Sequence, residues 1–205
     1  APFSISNVLI QSSINSFGSI AMAGSTAGGN IEGFVWTAMD AFTQSTLSFT
    51  GQNYGAKKFH RITKVVWYNL ILVTGVGIVL GVGAYLLGRP LLSIYSSDPE
   101  VIAYGLERML LVCVPYFTCG IMNIFVGAMR GLGSSLTPMV VSIFGVCVLR
   151  VVWIYTIFPL DRTFTMLFLS YPVTWVVTTL IEIVCFLVIR KHAIQRAGGM
   201  AADRD

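Results

Sequence analysis

The sequence predicts an all-α polytopic membrane protein, and its composition and its long apolar runs carry that prediction. Hydrophobic residues make up 55% of the 205-residue chain and charged residues only 11%, and the mean hydropathy is +0.78. Soluble domains carry about 25% charged residues, so this chain has too few charges to cover a surface in water. We therefore expect the protein to lie in membrane lipid and not to bind nucleic acid.

Six stretches are long and apolar enough to cross a bilayer as helices, which takes roughly 20 residues each. The predicted spans lie near residues 2–24, 31–53, 63–88, 101–128, 136–158 and 164–189. The first two are rich in Ser, Thr, Asn and Gln, so we expect them to face protein or a cavity rather than lipid. Residues 1–192 are predicted to form one domain and residues 193–205 a disordered cytoplasmic tail. The chain begins with Ala1 in apolar sequence, so we interpret it as a fragment without its N-terminus.

Three features inside the spans predict local geometry. Gly77 and Gly81 form a small-xxx-small pair suited to close helix packing. Pro115 and Pro172 should each free a backbone carbonyl and bend their helices. The amphipathic segment 89–108 is predicted to lie along the outer surface before the fourth span.

The distribution of Lys and Arg predicts the orientation of the spans. The basic residues on one side are Lys57, Lys58, Arg61, Lys64, Arg130, Arg190, Lys191, Arg196 and Arg204. Only Arg89, Arg108 and Arg162 fall on the other side. By the positive-inside rule the first side is cytoplasmic, which places both ends of the chain in the cytoplasm.

Two glycine-containing turns on that side resemble each other: "FTGQNYGAKKFHRITK" (49–64) and "GAMRGLGSSLTPM" (127–139). Neither has the GxxxxGK[ST] pattern of a phosphate-binding loop. We interpret both as structural corners, since glycine permits tight turns and close backbone approach. The predicted corner residues are Gly51, Gly55, Arg130, Gly131, Gly133 and Pro138.

These same turns resemble the multidrug and toxic compound extrusion (MATE) transporter family. "RGLGSSLTPM" is similar to the family's RGxGdTxxPm signature after its tenth helix, apart from Ser134 and Ser135. "TGQNYGAKKFHRI" resembles its GQxxGA turn after the eighth helix, and "SSINSFGSIAMAGSTAGGNIEGF" its seventh-to-eighth helix region. The resemblance implies the C-terminal six-helix lobe, helices 7–12, of a bacterial two-lobe transporter whose N-terminal lobe is the missing partner.

Glu32 and Asp40 are the leading candidates for cation or substrate binding. Glu32 is either a carboxylate in the first turn of the second span, stabilised by the helix dipole, or a gate facing the cleft. Asp40 could bind Na⁺, H⁺ or a cationic drug, or could serve a polar helix contact. The residues predicted to share its helix face are Gly33, Trp36, Thr37, Thr43, Gln44 and Leu47.

Two further ionisable residues lie inside predicted spans. Arg150 either extends to the interface or neutralises a carboxylate within the lobe, and the second is favoured. Glu182 lies toward the inner half of the sixth span, too far in depth from Arg150 for a direct ion pair, and is interpreted as an interfacial residue. The remaining pocket candidates are Gln11, Asn15, Tyr116, Met122 and Asn123.

The resemblance implies a secondary antiporter that exports small amphiphilic or cationic compounds through the bacterial inner membrane, driven by Na⁺ or H⁺. A lipid-linked precursor flippase would need a more cationic cavity, and a non-transporting assembly subunit would need fewer polar groups. Catalytic residues, a metal site and a cofactor are not expected. His60 and His192 lie at the predicted cytoplasmic surface, and the four cysteines lie in apolar runs without a CxxC pair, as expected of packing thiols.

Overall fold

The computed structural model describes the backbone of residues 2–202 and the side chains of residues 6–198. The regular secondary structure in that part of the chain is entirely helical, with no strand. The α-helices are α1 (Pro2–Asn15), α2 (Ser19–Gly55), α3 (Phe59–Leu86), α4 (Gly88–Ser93), α5 (Pro99–Val112), α6 (Tyr116–Gly131), α7 (Leu136–Ser142), α8 (Leu149–Thr156) and α9 (Phe164–Ala202). A π-helical turn (Ile143–Val148) joins α7 to α8, and a 3₁₀ turn (Phe158–Leu160) follows α8.

Three units are each long and apolar enough to cross a membrane alone. They are α3, the α7–α8 unit with its two turns (Leu136–Leu160), and α9 up to Gly198, with hydropathies of 2.1, 2.2 and 2.2. Helices α5 and α6 meet this criterion as a pair bent by 44°. The break precedes Tyr116 at Pro115, so the predicted proline bend is confirmed there. The second predicted proline, Pro172, lies inside α9 without interrupting it.

The boundary predicted between the first two spans is wrong. The chain turns at residues 16–18 rather than 25–30, and α2 then runs unbroken for 37 residues. The glycines of "AGSTAGGN" lie inside this helix because α5 packs directly on them. A Cβ at Gly24 would lie 2.5 Å from the carbonyl oxygen of Val101, and one at Gly28 would lie 3.2 Å from that of Gly105.

Helices α2 and α5–α6 run parallel to each other along their whole lengths. Gly24 near the start of α2 meets Val101 of α5, and Thr43 in the second half of α2 meets Gly127 of α6. Helix α9 also packs on α6 and runs in the same direction, since Trp175 meets Tyr116 and, farther along both helices, Phe186 meets Phe125. Helix α6 therefore lies in the interior of the bundle, between α2, α3 and α9.

Helix α3 packs antiparallel to α5–α6 through its small residues. A Cβ at Gly77 would lie 2.9 Å from the Cβ of Phe117, and one at Gly81 only 2.1 Å from the carbonyl oxygen of Cys113. This contact confirms the close packing predicted from the small-xxx-small pair.

The two predicted corners meet at one end of the bundle, which we call the basic end. At the α6–α7 corner Gly133 has φ +85°, as its glycine predicted, and Pro138 lies in the first turn of α7. At the α2–α3 corner the positive φ belongs to Lys57, at +56°. The turn role predicted for Gly51 is therefore wrong, because it lies inside α2, and Gly55 ends that helix without a positive φ.

Gly131 serves close approach rather than a turn. It is the last residue of α6, and a Cβ there would lie 2.8 Å from the Cβ of Thr50. Arg130 beside it is exposed. The α9 end reaches the same corner, where the Tyr54 hydroxyl lies 3.5 Å from the carbonyl oxygen of Ala193.

The disordered tail predicted after residue 192 is wrong for residues 193–202, which continue α9. Ala193 and Ala197 are buried against the bundle, so packing holds this turn in the helix. Residues 203–205, including Arg204, lie outside the described part of the chain.

Candidate functional site

A row of polar and small residues runs along one face of α2, and we call it the α2 stripe. Its members are Thr26, Asn30, Gly33, Thr37, Asp40, Gln44, Ser48 and Gln52. The spacing of three or four residues places them on one side of the helix. All are exposed except Asp40, which is half-buried. A face this polar over more than seven turns is unsuited to lipid contact.

Within the α2 stripe the polar groups bond mainly to one another and to their own backbone. The Thr37 hydroxyl donates to the carbonyl oxygen of Gly33 at 2.9 Å. The Gln44 amide nitrogen lies 3.5 Å from each carboxylate oxygen of Asp40, at the long limit of a hydrogen bond. No cationic side chain in the described part of the chain pairs with Asp40. Its carboxylate therefore remains available to a cation on the open side of the stripe.

The surroundings predicted for Asp40 are present in part. Gly33, Trp36 and Thr37 are exposed near it on the same helix. Thr43, however, is buried against α6, with its hydroxyl directed at the carbonyl oxygen of Met39. The prediction that Thr43 shares this face is wrong, because the close approach of α6 takes up that side of α2.

Helix α1 presents polar side chains beside the start of α2. Gln11 and Asn15 are both exposed, and the Gln11 amide donates to the Asn15 amide oxygen at 3.2 Å. The structure thus places these two predicted residues on the accessible surface of the helix that precedes α2.

Glu32 does not stand at a helix start, so the reading as a first-turn carboxylate is wrong. It lies well inside α2 and forms an ion pair with Arg108 of α5, at 2.9 Å. The same guanidinium donates to the carbonyl and hydroxyl oxygens of Ser25 at 2.8 Å each, and it lies 5.1 Å from the ring centre of Phe168. Both charged side chains are only 15% exposed.

Arg108 is the residue that sequence reasoning missed, because it was counted as a loop charge on the outer side. It lies in α5 and its charge is neutralised within the bundle. The glycine pair Gly28–Gly29, four and three residues before Glu32, was the available signal. A Cβ at Gly29 would lie 3.0 Å from the Arg108 guanidinium, so the pair makes room for an arginine.

Arg150 is buried, at 5% exposure, and does not extend to the interface. Its guanidinium lies 4.0 Å from the ring centre of Tyr171 and 3.5 Å from the Thr174 hydroxyl oxygen. The carboxylate partner favoured for it is not found among residues 6–198, where Arg108 and Glu32 form the ion pair. Arg150 therefore belongs to the interface between α8 and α9, away from the α2 stripe.

Tyr116 lies in the interior of the bundle, and Asn123 is half-buried. Tyr116 is 4% exposed and packs edge-on against Trp175, with 5.2 Å between ring centres. The Asn123 amide donates to the carbonyl oxygen of Cys119 in its own helix, at 3.0 Å. The predicted residues therefore occupy three places: the open α1–α2 surface, the Glu32–Arg108 pair, and the interior.

The fold and the open polar face together define a class of protein. The described chain is a bundle of membrane-spanning helices, apolar over most of its outer surface, with one long polar helix face left uncovered. In helical transporters such faces line the site between two lobes or repeats.

The chain belongs to the MatE family, since the model of that family matches residues 2–156. Among curated proteins it is 27% identical over 144 residues to the probable multidrug resistance protein YoeA of Bacillus subtilis, covering 70% of this chain. Its fold matches the transporter VcmN of Vibrio cholerae in the bent form with a TM-score of 0.83, over 93% of this chain at 20% identity. It matches the MATE transporter ClbM in complex with Rb⁺ with a TM-score of 0.84, over 96% of this chain at 19% identity.

These comparisons confirm the family predicted from the glycine turns and identify an integral membrane protein. The relatives are transporters rather than enzymes, in line with the absence of a predicted catalytic site. The chain spans 31% of the length of YoeA, 43% of VcmN and 46% of ClbM.

Proposed function

We propose that this chain forms one lobe of a two-lobe secondary antiporter that exports amphiphilic, often cationic, compounds in exchange for Na⁺ or H⁺. The observation that carries the proposal is the α2 stripe with Asp40 at its middle. The names of relatives such as YoeA point to the same class of substrate.

A second lobe is the partner that the α2 stripe requires. Lipid chains offer no hydrogen bonds to exposed amides and carboxylates, so the stripe must face water or protein. A cleft between two lobes supplies both. The greater length of the relatives leaves room for such a lobe, and we propose that it is the N-terminal lobe of the same chain.

Asp40 gives the exchange a simple electrostatic basis. A carboxylate in a cleft of low dielectric holds a cationic substrate strongly. Binding of Na⁺ or H⁺ to the same carboxylate cancels that attraction and releases the substrate. Loss of the coupling cation on the other side restores the charge, so substrate and coupling ion compete for one group as the lobes alternate.

The orientation proposed is that the basic end faces the cytoplasm of a bacterial cell. The α2–α3 corner, the α6–α7 corner and the end of α9 converge there and carry the basic residues. Arg108 no longer counts as an opposing loop charge, because it is paired inside the bundle. The charge asymmetry is therefore larger than the sequence count indicated, which favours this orientation.

The test of the proposal is efflux by the Asp40→Asn variant. The assay uses everted membrane vesicles that contain the encoded protein. An imposed Na⁺ or pH gradient drives uptake of the amphiphilic cation ethidium, which is the probe. We expect Asp40→Asn to lower gradient-driven uptake at least about tenfold, equivalent to roughly 1.4 kcal/mol, because the amide cannot exchange charge. Glu100→Gln is the matched control, since it removes an exposed carboxylate at the start of α5. Normal uptake by Asp40→Asn at equal membrane abundance would exclude Asp40 from the exchange.

A further inference from the structure

Glu182 is a carboxyl buried at membrane depth in the middle of α9. Its side chain is 0% exposed. The Ser142 hydroxyl donates to its Oε1 at 3.2 Å, and its Oε2 has no hydrogen-bond partner. The expectation of a residue at the inner interface is therefore wrong, because α7 and the π-helical turn cover this part of α9.

The helices around Glu182 bring no charge to it. Helix α1 has no charged side chain among its described residues. Titratable or charged side chains on the elements that contact α9 include Cys119 and Arg130 on α6, Cys147 on the π-helical turn and Arg150 on α8, and α9 itself carries Cys185 and Arg190. None of these lies within hydrogen-bond or ion-pair distance of the Glu182 carboxyl.

A permanently ionised carboxylate is poorly suited to these surroundings. Buried polar groups need their hydrogen bonds, and a buried charge needs a partner or must be neutralised. One hydroxyl contact satisfies a single oxygen of Glu182. A proton neutralises the group by forming one O–H bond, whereas a metal ion needs several oxygen ligands at once.

The element that covers Glu182 is irregular at this point. Ser142 is the last residue of α7, directly before the π-helical turn Ile143–Val148. In that turn the backbone of Gly145 packs directly on the Thr178 side chain of α9, and a Cβ at Gly145 would collide with the Thr178 hydroxyl oxygen. Single π-helical turns inside longer helices frequently occur at functional sites. The Ser142–Glu182 hydrogen bond therefore joins α9 to an irregular part of the neighbouring span.

We propose that Glu182 is a proton-binding site of this lobe, occupied while α7 and the π-helical turn pack against α9 and emptied when that contact opens to water. The step is an acid dissociation: the O–H bond of the carboxyl breaks, its electron pair stays on the carboxylate, and the proton passes to water. The role in transport rests on the proposed function and deepens it by naming H⁺ as the coupling ion and Glu182 as a second carboxyl, besides Asp40, that exchanges it.

The first test is infrared spectroscopy of the encoded protein in lipid vesicles, which detects the C=O band of protonated carboxylic acids. At neutral pH we expect such a band in the unmodified protein and its loss in Glu182→Gln, which keeps the size of the side chain. Ser142→Ala should shift the band, since it removes the hydroxyl bonded to the carboxyl. Glu100→Gln should leave the band unchanged, because Glu100 is exposed at the start of α5 and makes no contact with Ser142 or Glu182.

Three results would overturn the assignment. Identical carboxylic bands in the unmodified protein and Glu182→Gln would mean that the proton is held elsewhere. An unshifted band in Ser142→Ala would show that the absorbing group is not the one bonded to Ser142. Loss of the band on adding Na⁺ at constant pH would make Glu182 a metal-cation site.

The second test separates this proposal from the proposed function. With ethidium as the probe, Glu182→Gln should lose uptake driven by a pH gradient and retain binding of the dye. Full pH-driven uptake by Glu182→Gln would exclude the residue from coupling. Absence of uptake by the unmodified protein would instead contradict the antiporter, and the infrared band would still decide whether Glu182 binds a proton.

Discussion

At the scale of the residue, Arg108 and the glycines of α2 form one unit. The guanidinium reaches across from α5 to a part of α2 where Gly28 and Gly29 carry no side chains, and there it meets Glu32 and Ser25. Neither charge is fully covered, but each is shielded from water on most sides. The pair therefore fixes the relative position of α2 and α5 at one end of the stripe.

We expect Arg108→Ala to destabilise the protein by about 3 kcal/mol, the lower end of the range for breaking a buried ion pair. The reason is that Glu32, which is only 15% exposed, would lose its ion-pair partner. Thermal unfolding in detergent measures the change. Arg89→Ala is the matched control, since Arg89 is exposed and its removal should alter the melting temperature little.

The double variant Glu32→Gln with Arg108→Ala separates the ion pair from simple loss of packing. Removal of both charges should recover part of the stability lost in Arg108→Ala, because no unpaired carboxylate remains. A double variant no more stable than Arg108→Ala would show that the arginine acts through its contacts with Ser25 and Phe168 rather than through Glu32.

At the scale of the element, the glycines decide how the helices assemble. Sequence patterns identified the long apolar helices, the bend at Pro115 and the corner at Gly133 because each depends on local chemistry. They did not identify α2 as one helix, because glycine and asparagine disfavour helices in isolation. Only the packing of α5 on Gly24 and Gly28 makes the helix favourable there, and that contact joins residues some 80 positions apart in the chain.

Gly81 and Gly75 of α3 offer a matched pair that tests this role of glycine. A Cβ at Gly81 would collide with the backbone of Cys113, whereas one at Gly75 would meet nothing within 4 Å. We expect Gly81→Ala to cost about 2 kcal/mol or more through overpacking. Gly75→Ala should stabilise the helix by up to about 1 kcal/mol. Melting temperatures of the two purified variants give the comparison, and equal effects would contradict the close approach of α3 to α5–α6.

At the scale of the whole molecule, the surface divides into two kinds of exposed face. Helices α3 and α9 expose apolar side chains, as expected of lipid contact, while α2 exposes its polar stripe. The sequence predicted this division, because the polar character of the second span is visible in its composition. It did not place Tyr116 in the interior or identify Tyr171 and Thr174 as the neighbours of Arg150, because helix rotation is set by neighbours that a single span does not reveal.

This division predicts which positions react with a membrane-impermeant maleimide in a variant without the native cysteines. Thr37→Cys and Ser48→Cys lie on the α2 stripe, while Ile71→Cys and Val79→Cys lie on the outer face of α3. Ile71 and Val79 are 61% and 70% exposed in the isolated lobe, so exposure alone would predict labelling at all four positions. We expect labelling only on the stripe, because maleimides react with thiolates. A thiol in lipid stays protonated and has no contact with the water that carries the reagent. Labelling of the α3 positions but not of the stripe would place α2 against lipid or a closed interface, and the cleft proposed for this face would then be wrong.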